Sequence, residues 1–221
     1  LMLATAGLAA SGQTAPAAPT APAAGPARFE AEMAKFDDAD RQTPVGPGGV
    51  VFTGSSSIRL WTTLGQDFAA AHPLNRGFGG SDIRDVIHFL DRVVLRYRPS
   101  QVVFYSGDND LNGGRGPAEV AADYQRLVDA IHAALPRTRV VIISIKPSLA
   151  RWAMVEPMRD TNRRVKAMVA ADPQRLAFVD VFDAMLGPDG KPRPELYVAD
   201  GLHMTPAGYA IWTTALRPAL R

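Results

Sequence analysis

The 221 residues suffice for one domain with a full core and are too few for two ordinary ones. Hydrophobic residues make up 47% and charged residues 21%, and 24 basic against 22 acidic side chains leave a net charge of only +2, too little for a nucleic-acid surface. With no cysteine, disulfides, thiolate metal sites and cysteine nucleophiles are excluded, and no apolar run reaches the roughly 18 residues that would span a bilayer.

Residues 1–27 stand apart. Leu1 to Ala10 is an apolar run of the length of a signal-peptide core, Ala10-Ser11-Gly12 resembles a small-residue cleavage site, and a Pro/Ala stretch follows. This pattern predicts export, with residues 1–27 as signal remnant and linker and residues 28–221 as the domain. Residues 28–42 fit an amphipathic helix with Phe29, Met33 and Phe36 on one face.

Short apolar runs then recur. Gly49–Thr53, Leu74–Phe78, Gln101–Tyr105, Val140–Ile145 and Leu176–Asp180 read as strands, and runs without polar alternation suit a parallel sheet covered on both faces. Between them, residues 81–97 align Ile83, Val86, Ile87, Leu90, Val94 and Tyr97, and residues 117–135 align Val120, Tyr124, Leu127, Ile131 and Leu135. Pro117 suits a first helical turn, and Thr205 with Pro206 predicts the start of a last helix over 206–219. Strands alternating with helices imply right-handed βαβ units, hence an α/β fold: a three-layer α/β/α sandwich with a mainly parallel five-stranded sheet.

Ligands of such sheets bind beyond the carboxyl ends of the strands. Four segments fall there: Gly54-Ser55-Ser56, Asn75-Arg76-Gly77-Phe78-Gly79-Gly80, Gly107-Asp108-Asn109-Asp110, and Asp200-Gly201-Leu202-His203 before the last helix. Together, in this order, they resemble the SGNH hydrolases, also called the GDSL esterase/lipase family, over roughly residues 45–221. The resemblance implies a flavodoxin-like sheet and ester hydrolysis without metal or organic cofactor. It makes Ser56 the nucleophile, His203 its base and Asp200 the residue that orients the imidazole. It also makes the backbone N–H groups of Ser56 and Gly80 and the amide of Asn109 the oxyanion donors. Of the four histidines, His88 and His132 fall in predicted helices and His72 at a helix end, whereas His203 lies in a loop beside a carboxylate. One departure is Ser55, where the family carries Asp. Aligning Gly54 selects Ser56 from the three consecutive serines.

Lys146 is a candidate substrate contact because it follows the fourth strand, and Trp61, Trp152 and Arg76 are candidate pocket-lining residues. The expected partner is a small-molecule, carbohydrate or lipid ester. Short-chain or acetyl esters come first, because no long apolar lid segment is present. Lysophospholipids, thioesters and a non-catalytic binding role on the same scaffold are the alternatives. Asp108-Asn109-Asp110-Leu111-Asn112-Gly113 with Glu119 also fits the spacing of an EF-hand calcium loop, but the run before it reads as a strand and Pro117 opens the next helix, so no metal site is expected.

Overall fold

Five apolar runs become five strands: β1 (Val50–Gly54), β2 (Pro73–Gly77), β3 (Gln101–Tyr105), β4 (Arg139–Ile143) and β5 (Leu176–Val179). They join in the order β2-β1-β3-β4-β5, with every pairing parallel. The computed structural model describes residues 25–220, so the signal-like run and most of the Pro/Ala stretch lie outside the described residues.

Successive strand side chains point to opposite faces. Val51, Val102, Phe104, Val140 and Ile142 enter one core, and Val50, Phe52, Val103, Tyr105, Val141 and Ile143 enter the other. The first core is covered by α1 (Glu30–Gln42), α4 (Ile83–His88), α5 (Leu90–Val93), α6 (Asp108–Asn112), α7 (Pro117–Ala134) and α8 (Val155–Ala170). The second is covered by α2 (Ser56–Arg59), α3 (Leu64–Asp67) and α9 (Pro206–Leu216), with Trp61, Tyr209 and Trp212 in mutual ring contact. Each fully buried apolar side chain contributes roughly 1.5–3 kcal/mol, and two such faces are what make the three layers stable.

Local sequence explains most ends. Helix α7 buries Val120, Tyr124, Leu127, Val128 and Ile131, starts with Pro117, and receives the Gly116 N–H on the Glu119 carboxylate at 2.9 Å. Thr205 caps α9 by accepting from the Gly208 N–H at 3.4 Å. The single helix predicted over 81–97 is instead α4, α5 and a 3-10 turn, Leu95–Tyr97, interrupted at Phe89 and Val94. Those interruptions turn Val86, Phe89, Leu90, Val93, Val94 and Tyr97 all into the core, a wider apolar set than the narrow stripe of one straight helix.

The amphipathic segment at 28–42 forms α1 and packs on its own domain. Phe29 meets Phe78 edge-on at 5.0 Å. Alongside them an acidic stripe, Glu30, Asp37 and Asp40, pairs with Arg92, Arg96 and Arg76.

Candidate active site

The sheet order reverses at β1, whose neighbours β2 and β3 continue in opposite directions, so a crevice opens at the carboxyl ends of β1 and β3. Gly54 ends β1 with φ 129°, and a Cβ there would sit 1.8 Å from the Tyr105 carbonyl oxygen. Only glycine lets the chain turn this close to β3. The Ser55 N–H donates to that same oxygen at 3.0 Å, and Ser56 opens α2 with its side chain over the crevice.

Asp200 and His203 arrive on the loop before α9. The Asp200 carboxylate accepts the backbone N–H of Leu202 at 2.8 Å and of His203 at 2.9 Å through Oδ1, and the imidazole Nδ1 at 2.5 Å through Oδ2. Partial burial opposes its charge but is outweighed by these two backbone donors and by His203, so its pKa falls to about 2. An ionised carboxylate only accepts, so Nδ1 carries the imidazole hydrogen and Nε2 is left to accept. The Ser56 hydroxyl lies 2.9 Å from Nε2, which completes an unbroken chain from Asp200 through His203 to Ser56.

The loop carrying this pair is held from below. Val198 N–H donates to the His203 carbonyl at 2.9 Å, and Ala150 N–H to the Gly201 carbonyl at 3.0 Å. Lys146 Nζ donates to the Leu202 carbonyl at 2.8 Å.

Across the crevice, Gly80 adopts φ 79° and faces open space. Its turn is tied to β1 by the Ser81 hydroxyl, within reach of the Phe78 carbonyl at 2.8 Å and the Gly54 carbonyl at 3.3 Å. Asn109 Nδ2 donates to the Ser81 carbonyl at 2.9 Å, and its Oδ1 accepts from Arg151 at 2.9 Å. The second guanidinium nitrogen of Arg151 binds Asp108 at 2.9 Å. The amide is thereby fixed with its nitrogen on the Gly80 side and one N–H left over. Ser56, Gly80, Asn109 and His203 all line one cleft of about 600 Å³.

Four sequence candidates do not line it. Lys146 is 1% exposed and lies under the loop that carries Asp200 and His203, where burial lowers its pKa to about 8 despite the nearby carboxylates of Asp108 and Asp200. Arg76 points to the opposite face of β2 and is occupied by Asp40, by the Tyr97 hydroxyl at 2.7 Å and by the Asn75 carbonyl at 3.0 Å. Trp152 packs against the core beside α8, and Trp61 is buried in the second core against Tyr209 and Trp212. The residues that do line the cleft, and that the sequence did not single out as substrate contacts, include Arg59, Arg151, Glu32 on α1, and Arg28 and Phe29 in the 3-10 turn before it. The calcium-loop carboxylates are engaged by other groups: Asp108 by Arg151, Asp110 by Arg115, and Glu119 by the Gly116 N–H.

The GDSL-like lipase/acylhydrolase family model matches residues 46–211. Among curated proteins, none matches the sequence. Solved structures share the fold. One, from Streptococcus pneumonia and provisionally described as a platelet activating factor, is 21% identical with a TM-score of 0.77, over 87% of this chain and 92% of that one. A GDSL-like lipase from Bacteroides thetaiotaomicron is 20% identical, TM-score 0.73, over 86% and 97%. An acetyl-xylooligosaccharide esterase from Geobacillus Stearmophilus is 18% identical, TM-score 0.61, over 78% and 94%. With the family model spanning all four motif segments and most of the domain, including Ser56, Gly80, Asn109, Asp200 and His203, the chain belongs to the GDSL-like lipase/acylhydrolase family and is an ester hydrolase.

Proposed function

We propose that the protein is a serine esterase working through an acyl-enzyme at Ser56. The observation that carries this reading is the 2.9 Å contact between the Ser56 hydroxyl and an imidazole whose far nitrogen is held by Asp200. As Ser56 Oγ attacks the ester carbonyl, its proton passes to His203 Nε2. The oxyanion forms against the N–H groups of Ser56, Gly80 and the Asn109 amide, each such donor lowering the barrier by about 3 kcal/mol. The carbon–oxygen bond to the alcohol then breaks, and the proton on Nε2 leaves with that alcohol. Water attacks the acyl-serine, giving its proton to the same nitrogen. Collapse releases the acid and returns the proton to Ser56.

The substrates are short-chain or acetyl esters, of carbohydrates among others. Arg28, Arg59 and Arg151 line the cleft, so a long acyl chain would desolvate guanidinium groups without replacing their hydrogen bonds. The composition of residues 1–27 supports an exported enzyme.

The test is hydrolysis of aryl esters of increasing acyl length, with labelling by a fluorophosphonate. Wild type is expected to be labelled and to prefer acetate, while Ser56→Ala stays folded and loses both turnover and label. Wild-type turnover in Ser56→Ala refutes the assignment of the nucleophile, and a rate rising with chain length favours a lipid hydrolase instead.

A further inference from the structure

The cations of the cleft are not equivalent. Arg28 is bound to Asp85 at 2.6 Å, and Arg151 to Asp108 and Asn109 at 2.9 Å each. The cleft's own carboxylate, Glu32, is paired with Lys35 at 3.1 Å. Arg59 is different. Its side chain lines the cleft, is exposed, and has neither a salt bridge nor a side-chain hydrogen bond among the described residues. It is nonetheless placed: a Cβ on Gly79 would meet Arg59 Nε at 2.8 Å and the guanidinium carbon at 3.1 Å, so the guanidinium lies directly against the Gly79 backbone. Gly79 adjoins Gly80, and Arg59 stands one helical turn beyond Ser56, so the two side chains are neighbours on α2, with Cβ atoms about 5–6 Å apart.

Resting on the esterase reading above, the geometry points to Arg59 as the binding site for an anionic group of the substrate, a carboxylate or phosphate carried close to the scissile ester. A guanidinium presents a planar fork that meets either group with two parallel N–H donors. Because it is already oriented by Gly79 and has no internal counterion to displace, little ordering opposes that contact. The other two arginines cannot serve as readily: releasing Arg28 or Arg151 leaves Asp85 or Asp108, both buried, without its cation.

The test compares matched esters. Para-acetoxybenzoate is set against its methyl ester for a carboxylate on the alcohol side, and para-nitrophenyl hydrogen succinate against para-nitrophenyl butyrate for one on the acyl side. Para-acetoxyphenyl phosphate supplies the phosphate. For at least one anionic ester, wild type is expected to show kcat/KM about tenfold or more above its neutral partner, a preference that shrinks with added salt. Arg59→Met is expected to lower that anionic-to-neutral ratio about tenfold, and Arg59→Lys to lower it less. A wild-type ratio near one for every pair, or a ratio unmoved in Arg59→Met, overturns the proposal. Calorimetric binding of the same anionic esters to Ser56→Ala and to Ser56→Ala/Arg59→Met makes the result independent of catalysis. Weaker binding in the double variant supports the Arg59 site even where the esterase reading fails, and equal or no binding in both rejects it. Fluorophosphonate labelling of wild type tests that reading separately.

Discussion

Lys146 offers a measurement in which structure fixes both sign and size. Its ammonium is buried beneath the loop that carries Asp200 and His203, bonded to the Leu202 carbonyl, and its pKa is lowered from 10.5 to about 8, chiefly by burial. The unfolded chain therefore keeps this proton up to about pH 10.5 while the folded protein releases it near 8. Between those values the unfolded state binds more protons, so this group makes the protein more stable as pH rises. The full difference is roughly 3 kcal/mol, of which about 1 kcal/mol is recovered between about pH 7 and about pH 9. The neutral amine still carries N–H groups, so the bond to Leu202 survives deprotonation. Urea unfolding of wild type and Lys146→Met at those two pH values isolates the effect, because every other titrating group is common to both. The wild-type stability minus that of the variant is expected to grow by about 1 kcal/mol on going to the higher pH. A difference that stays constant, or shrinks, would show that Lys146 keeps an ordinary pKa and refute the burial argument.

Three further outcomes are expected. Asp200→Asn should fold normally and lose on the order of 10³ in kcat, since an amide can donate to Nδ1 and favour the wrong tautomer; single-turnover ester hydrolysis measures it. Arg151→Met should lower kcat about tenfold to a hundredfold, less than the roughly 10²–10³ expected of Asn109→Ala, because Arg151 acts by fixing the Asn109 amide. In Arg151→Met/Asn109→Ala the two losses should not add, and additive losses in steady-state kinetics would deny the coupling. Gly54→Ala should cost on the order of 3 kcal/mol or more, read by thermal unfolding, since the new Cβ would lie 1.8 Å from the Tyr105 oxygen at φ 129°.

The elements most legible in the sequence are those with one simple burial pattern. Strands covered on both faces have no need of polar residues, so β3 and β4 appear as unbroken β-branched and aromatic runs. Helix α7 presents five buried apolar side chains at helical spacing with a proline at its start. Helix α8 is harder to read, because Thr161 and Asn162 share its buried face with Met158, Val165 and Val169. Asn162 is there to accept from the Ile145 N–H at 2.8 Å and donate to the Ile145 carbonyl at 2.9 Å. Those bonds replace sheet pairing beyond β4, which is also why the strand stops at Ile143 and not at Ile145.

In the site, what sequence conveys is the set of residues at strand ends, and what it omits is direction. Arg76 and Asn75 are adjacent on β2, yet Asn75 reaches the Ile58 carbonyl on α2 at 2.7 Å while Arg76 goes to the opposite face and pairs with Asp40 on α1. Arg151 gains its place from Asp108 and Asn109, more than forty residues away, and nothing local distinguishes it from the other basic residues. Ser55 is the converse case, a departure from the family pattern that leaves the geometry in place. What Ser56 needs from position 55 is supplied by the backbone, whose N–H binds the Tyr105 carbonyl and whose carbonyl accepts from Ile58 and Arg59 at 3.0 and 3.2 Å. Serine meets these demands as well as aspartate would. It differs in adding no negative charge beside Ser56, at a position only 1% exposed where a carboxylate would be poorly solvated and weakly screened. The positive charge of Arg59 is thus left without a neighbouring acid on its own segment, and the same serine that leaves the Ser56–His203–Asp200 geometry intact fits the anionic ester proposed for Arg59.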